Sequence, residues 1–153
     1  MINTGQRENP VETTAFRKDA YATLRDLSAN CLLTRADRRA LADHIQRADR
    51  IGTGAWVMLA RLLSQKLLYT PVVEGDQTSA ATAAGGSRVT YAIDGLAPSS
   101  GYLFHDDAYA LSQNGIPVAT LLGATLIGMK AGTHAPFLQA DGSFRAVSLL
   151  GVA

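Results

Sequence analysis

The hydrophobic period of this chain changes once, and that change limits what it can fold into. Up to residue 73 the apolar residues recur three and four apart, and after residue 87 they alternate. The first spacing puts one apolar stripe on a helix, and the second puts one apolar face on a strand. Residues 74–87 lie between them, rich in Gly, Ala, Ser and Thr and without any apolar period. They read as a linker and a domain boundary.

The helical half divides further. Residues 1–13 are polar and are expected to fray. Residues 14–28 suit a first helix, with Phe16, Ala20, Leu24 and Leu27 on one face. Thr34 then offers a hydroxyl to cap a second helix, and Asp37, three residues on, can reach back as in a capping box. Leu41, Ile45 and Ala48 form its stripe, and Gly52 and Gly54 end it. Thr53 is the expected cap of a third helix carrying Trp56, Leu59, Leu63 and Lys66/Leu67, with Trp56 packed inside the pair. Pro71 stops it. Two helices joined by Ile51-Gly52-Thr53-Gly54 make an antiparallel, coiled-coil-like hairpin over about residues 34–68.

The second half reads as strands. Val89, Tyr91 and Ile93 alternate with Arg88, Thr90 and Asp94, and Tyr102 to His105 form a second strand. Asp106 to Gly115 is a polar crossing, and Ile116 to Val118 is a short strand whose Pro117 suggests a sheet edge. Residues 120–127 suit one helix ended by Gly128 or Gly132. Residues 135–139 and 144–150 pair across Asp141-Gly142. The fold class is α+β: helical residues 1–73, linker 74–87, and a small antiparallel sheet with one helix over residues 88–153.

Charge and chemistry narrow the function. The net charge of +1 argues against general nucleic-acid coating. It is unevenly spread: residues 1–70 hold 11 Lys+Arg against 7 Asp+Glu, and residues 71–153 hold 3 against 6. A single cysteine, Cys31, rules out an internal disulfide, precedes the apolar Leu32 and Leu33 and reads as buried filler. No signal core or long apolar run is present, so a soluble cytoplasmic protein is expected, with no membrane partner. His44, His105 and His134 stand far apart without metal-ligand spacing, and each reads as a surface or satisfied histidine. His105-Asp106-Asp107 offers too few ligands for a calcium loop. No Walker loop, dinucleotide loop or nucleophile elbow occurs, so no cofactor, metal or catalytic residue is assigned. The chain reads as a binding module, not an enzyme.

Several short motifs recur in a fixed order: Gly86-Ser87-Arg88-Val89-Thr90-Tyr91, then Ile116-Pro117-Val118, Thr120-Leu121-Leu122, Thr125-Leu126-Ile127-Gly128 and Gly132-Thr133, and finally Asp141-Gly142 before Val147-Ser148-Leu149-Leu150. This set resembles the C-terminal domain of the Gre family of bacterial transcription-elongation factors. It is most similar to the short branch called regulators of nucleoside diphosphate kinase. The resemblance covers residues 86–152, and residues 34–73 by architecture. It implies an FKBP-like C-terminal domain that binds RNA polymerase near the secondary channel. It further implies that Ala119, Thr120 and Leu121 dock there, with Arg47, Asp49 and Arg50 of the hairpin tip in or over the channel mouth.

Two departures stand out. Leu121 stands where the family usually has a proline. Cleavage-stimulating members carry two acids at the hairpin tip to complete a magnesium site, whereas Asp49 is alone here between arginines. Arms of about 15 residues span roughly 22 Å, short for reaching an active centre. Regulation without transcript cleavage follows. The alternatives are a binder of nucleoside diphosphate kinase or of another protein, and a prolyl isomerase with Tyr91, Tyr102, Phe104 and Phe137 lining its pocket. Oligomeric state is left open.

Overall fold

Apolar stripes and turn residues place the elements. The computed structural model describes residues 10–72, 81–106 and 114–153, with side chains from residue 20 onward. Expectations for residues 1–9, the Phe16 side chain, residues 73–80 and residues 107–113 lie outside the described residues.

Helix α1 runs Pro10–Ala29, α2 Arg35–Ile51 and α3 Ala55–Tyr69. Ala20 and Leu24 of α1 are buried as their spacing predicts. Thr34 caps α2, its Oγ1 accepting from the Asp37 backbone N–H at 2.9 Å. Gly52 ends α2 at φ +67, the left-handed conformation that glycine adopts at low cost. The cap of α3 differs from expectation. Gly54 holds that position, φ +60 and ψ −136, and no side chain bonds the first turn. Thr53 serves only through its carbonyl, which accepts from Trp56 N–H at 3.2 Å.

The sheet is built from β1 (Arg88–Ile93), β2 (Ser99–Phe104), β3 (Gly115–Pro117), β4 (His134–Leu138) and β5 (Phe144–Val152), in the order β3-β2-β1-β5-β4. Four of its strands pair antiparallel as the alternation predicts. The fifth, β3, pairs parallel to β2 and makes the sheet mixed. The chain leaves β2 and crosses before it pairs again, so β3 runs in the same direction on the edge, where Pro117 costs no inner ladder bond. Strand β1 also departs from strict alternation. A register shift between Thr90 and Tyr91 turns the strand, so Val89 and Ala92 are both buried. Helix α4, Leu121–Leu126, follows β3.

Helices and sheet share one core. Leu24, Leu33, Leu41 and Leu63 from the helical half pack in the same cluster as Val89, Leu103, Ile127 and Leu149. The segment read as linker ends inside this core: Thr82 bridges to Lys130, and Ala83 is fully buried and bonds Met129 O and Gly128 N through its backbone. Among the described residues, no helix is long and apolar enough to cross a membrane.

Lys66 couples the two halves. Its spacing on α3 points it inward, and it is buried at 5% exposure. Its Nζ donates to the carbonyls of Ala124 (2.8 Å), Thr125 (2.6 Å) and Ile127 (2.7 Å). These are carbonyls at the end of α4, where a helix runs out of internal donors and its dipole favours a cation. Burial pushes the Lys66 ammonium below the ordinary lysine range, and the neighbouring Cys31 partly opposes that shift. Replacing Lys66 with Met keeps the volume and orphans three carbonyls. The Lys66→Met protein should lose about 3 kcal/mol of stability, measured by urea unfolding.

Candidate partner-binding surfaces

The turn into α4 is fixed from its own sequence. Thr120 is extended, at φ −136 and ψ 163, and caps the helix. Its Oγ1 accepts from Gly123 N–H at 3.0 Å and donates to Pro117 O at 2.6 Å. Gly123 is required because a Cβ there would overlap the Pro117 carbonyl oxygen. Ala119, Thr120 and Leu121 are all half-buried. Ala119 and Leu121 lean on the core, so Leu121 presents only part of its side chain to a partner.

The hairpin tip lies elsewhere. Arg47, Asp49 and Arg50 are exposed at the end of α2, and Arg50 Nε reaches Gln46 O at 3.5 Å. Trp56 is not inside the hairpin as its spacing predicted. It is 40% exposed, beside Ile51 at 46% and Val57 at 42%. Burial on α3 begins only at Leu59, and residues 51–57 are all exposed, so Trp56 lies on the uncovered end of the hairpin.

Two histidines that are 61 positions apart meet in the fold. His44 of α2 and His105, just after β2, stack with centroids 5.2 Å apart, and His44 Nε2 lies 3.0 Å from His105 Nδ1. His105 Nε2 in turn lies 2.8 Å from Asp37 Oδ1. His44 and Asp37 are each 3% exposed. The Asp37 carboxylate also accepts from Gly85 N–H at 3.2 and 3.3 Å. The side chain expected to close a capping box on α2 instead ties α2 to the sheet. An ionised Asp37 accepts one hydrogen bond from His105, whose other nitrogen can then accept from His44. Nothing in the sequence signals this chain of contacts. Among the described residues, no group of three or more His, Cys, Asp or Glu could hold a metal ion. His134 is exposed at the start of β4, and Cys31 is buried.

The four aromatics proposed to line an isomerase pocket lie in unlike surroundings. Phe104 is buried, Tyr102 is half exposed, and Tyr91 and Phe137 pack partly against the core. An open groove of about 770 Å³ lies between α1 and the β4–β5 ribbon, lined by Leu27, Ala135 and Phe144 among others. It includes the Asp94–Arg145 pair, at 2.7 Å. The Ala146 backbone N–H and the Arg145 guanidinium hold the Asp94 carboxyl below its ordinary range. Ala20, Leu27 and His134, noted in the sequence for other reasons, line this groove, whereas Ala119, Thr120, Leu121, Arg47, Asp49 and Arg50 do not.

The arrangement of helices and sheet superposes on a known structure. The Prokaryotic transcription elongation factor GreA/GreB from Nitrosomonas europaea superposes with a TM-score of 0.58 over 80% of this chain and 98% of that one, at 14% identity. The chain has the Gre fold. Looser superpositions reach Gfh1 of Thermus aquaticus, with a TM-score of 0.41, 14% identity, and 88% of this chain and 94% of that one. Gfh1 of Thermus thermophilus gives 0.37, 15% identity, and 92% and 86%. No family model matches this chain, and no curated protein does. The short nucleoside diphosphate kinase branch therefore rests on the sequence resemblance alone.

Two substitutions check this geometry. Gly123→Ala should disrupt the α4 turn at a cost of about 3 kcal/mol or more and lower the melting temperature by over 5 °C, since about 1 kcal/mol shifts a chain of this size by roughly 2–4 °C. A double-mutant cycle on Asp37→Asn and His105→Ala should give a coupling energy of about 1–3 kcal/mol in urea unfolding, because the pair is partly buried and charge-assisted.

Proposed function

We propose that this protein binds RNA polymerase near its secondary channel and regulates transcription elongation without stimulating transcript cleavage. The observation that carries the reading is the Gre fold, matched over 98% of a Gre factor's length with the hairpin and the sheet together. In this reading residues 1–73 supply the hairpin and residues 88–153 the docking domain. The turn Ala119-Thr120-Leu121 contacts the polymerase, held in place by the Thr120 cap. The hairpin, with Arg47, Asp49 and Arg50 at its tip, covers the channel mouth. Its setting is the cytoplasm of a bacterium, where that polymerase works.

The chemistry at the tip supports regulation over cleavage. A second magnesium ion beside a phosphodiester needs more than one carboxylate to hold it and to orient the attacking water. Asp49 stands alone between Arg47 and Arg50, whose charges disfavour a metal ion. Helix α2, at 17 residues, spans about 25 Å at 1.5 Å per residue. The hairpin is also held against the sheet by Lys66 and by the Asp37–His105 contact, so little of it stands free.

The test is binding of the purified protein to RNA polymerase core enzyme, with and without a cleavage-stimulating Gre factor as competitor. Mutually exclusive binding with a micromolar or tighter dissociation constant is expected, together with no added transcript cleavage in stalled complexes. Leu121→Glu should weaken binding about tenfold, read alongside its melting temperature because Leu121 is half-buried. Absence of binding at tens of micromolar would sink the reading.

A further inference from the structure

The tip of the α2–α3 hairpin gathers three large apolar side chains on the outside of the molecule. Ile51, Trp56 and Val57 fall within seven positions and are 46%, 40% and 42% exposed. Residues 51–57 are all exposed, so no part of the fold covers them. A slack loop does not explain this. Gly52 N–H bonds Ala48 O at 2.9 Å, Trp56 N–H bonds Thr53 O at 3.2 Å and Val57 N–H bonds Gly54 O at 3.2 Å. Gly52 and Gly54 sit at φ +67 and +60, where a side chain would be strained, so the turn has one defined shape. The three apolar groups are held out by an ordered turn.

A contiguous exposed patch of this kind, at the end of a rigid element, marks an interaction site. Its composition says which kind. Tryptophan and arginine dominate the energetics of protein–protein hot spots, which pair an apolar centre with a charged rim. Here the centre is Ile51, Trp56 and Val57, and the rim is Arg47 and Arg50 against the single acid Asp49. Single-stranded nucleic acid would instead call for several stacking rings along a basic track. The tip offers one ring flanked by two aliphatic side chains.

We propose that this tip is a docking knob that enters an apolar, acid-rimmed pocket on RNA polymerase. The proposal rests on the reading above and deepens it. The tip acts by filling a pocket, with its arginines facing carboxylates on the wall, and not by delivering carboxylates to a metal ion. Binding would bury the indole and draw the two guanidinium groups out of bulk water, so affinity should fall with added salt.

The experiment measures affinity for immobilised core polymerase with Trp56→Ser, Trp56→Phe, Ile51→Ser and the Arg47→Glu/Arg50→Glu double variant. All four positions are exposed, so melting temperatures should stay near that of the parent chain. Trp56→Ser and Ile51→Ser should each weaken binding about tenfold or more, Trp56→Phe should keep most of it, and the charge reversal should weaken it most at low salt. In parallel the chain alone is titrated with a ten-residue oligouridylate. Its one tryptophan makes quenching specific to the tip. If Trp56→Ser and Ile51→Ser bind as the parent does, the knob is overturned, while polymerase docking through the α4 turn still stands. If the parent does not bind polymerase at all, the knob falls together with the functional reading. Saturable quenching by the oligouridylate, with polymerase affinity unchanged in Trp56→Ser, would reassign the tip to nucleic acid.

Discussion

The structure depends on one buried cation. Lys66 enters the core from α3 and ends on the last carbonyls of α4. A short helix leaves most of its carbonyls without partners, and α4 has only six residues. Gly123 O and Leu126 O find the backbone N–H groups of Ile127 and Met129, and Lys66 takes Ala124, Thr125 and Ile127. The accounting closes only if the helical half is in place. The same contact sets the geometry of both candidate surfaces. The Thr120 turn opens α4, whose far end is held by Lys66, and Trp56 lies ten positions before Lys66 on the same helix, about 15 Å along it. Helix α3 therefore works as a rigid strut between the Thr120 turn and the hairpin tip.

Much of this was legible in the sequence because local rules fixed it. Thr34 caps α2 where a hydroxyl before an apolar-periodic segment predicts a cap, and α4 falls within the 120–127 stretch read as one helix, with Thr120 as its cap. Gly52, Gly128 and Gly142 take positive φ where the pattern stops. Leu41, Ala48, Leu59 and Leu63 are buried as their spacing requires. The ordered motifs from Gly86 to Leu150 were enough to indicate the Gre fold, although no residue-level similarity to a curated protein remains.

What was not legible depended on partners distant in sequence. Trp56 satisfies the helical stripe, yet burial along that stripe starts only at Leu59. Asp37 satisfies a capping box, yet its carboxylate is drawn to Gly85 N–H and His105, which fold up against it from the sheet. The parallel pairing of β3 depends on the path of the crossing before it, and not on the three residues of the strand. Lys66 shares the last step of the α3 stripe with Leu67, and that spacing does not say what its ammonium meets. Only the end of α4, placed 58 to 61 positions later, gives its ammonium somewhere to go.

The edge-to-face contact of Tyr21 with Phe144 joins the first helix to the last strand, 123 positions apart. Helix α1 packs along β4, which is itself completed only by pairing with β5. Contacts of such high sequence separation form slowly, because a long loop must close before they contribute. Helix α1 also packs on α3, where Gln65 Nε2 donates to Tyr21 O at 3.1 Å, so the helical half gives it a first surface. Its seat against β4 is completed only once β5 has paired, which makes that side of α1 the later one to close.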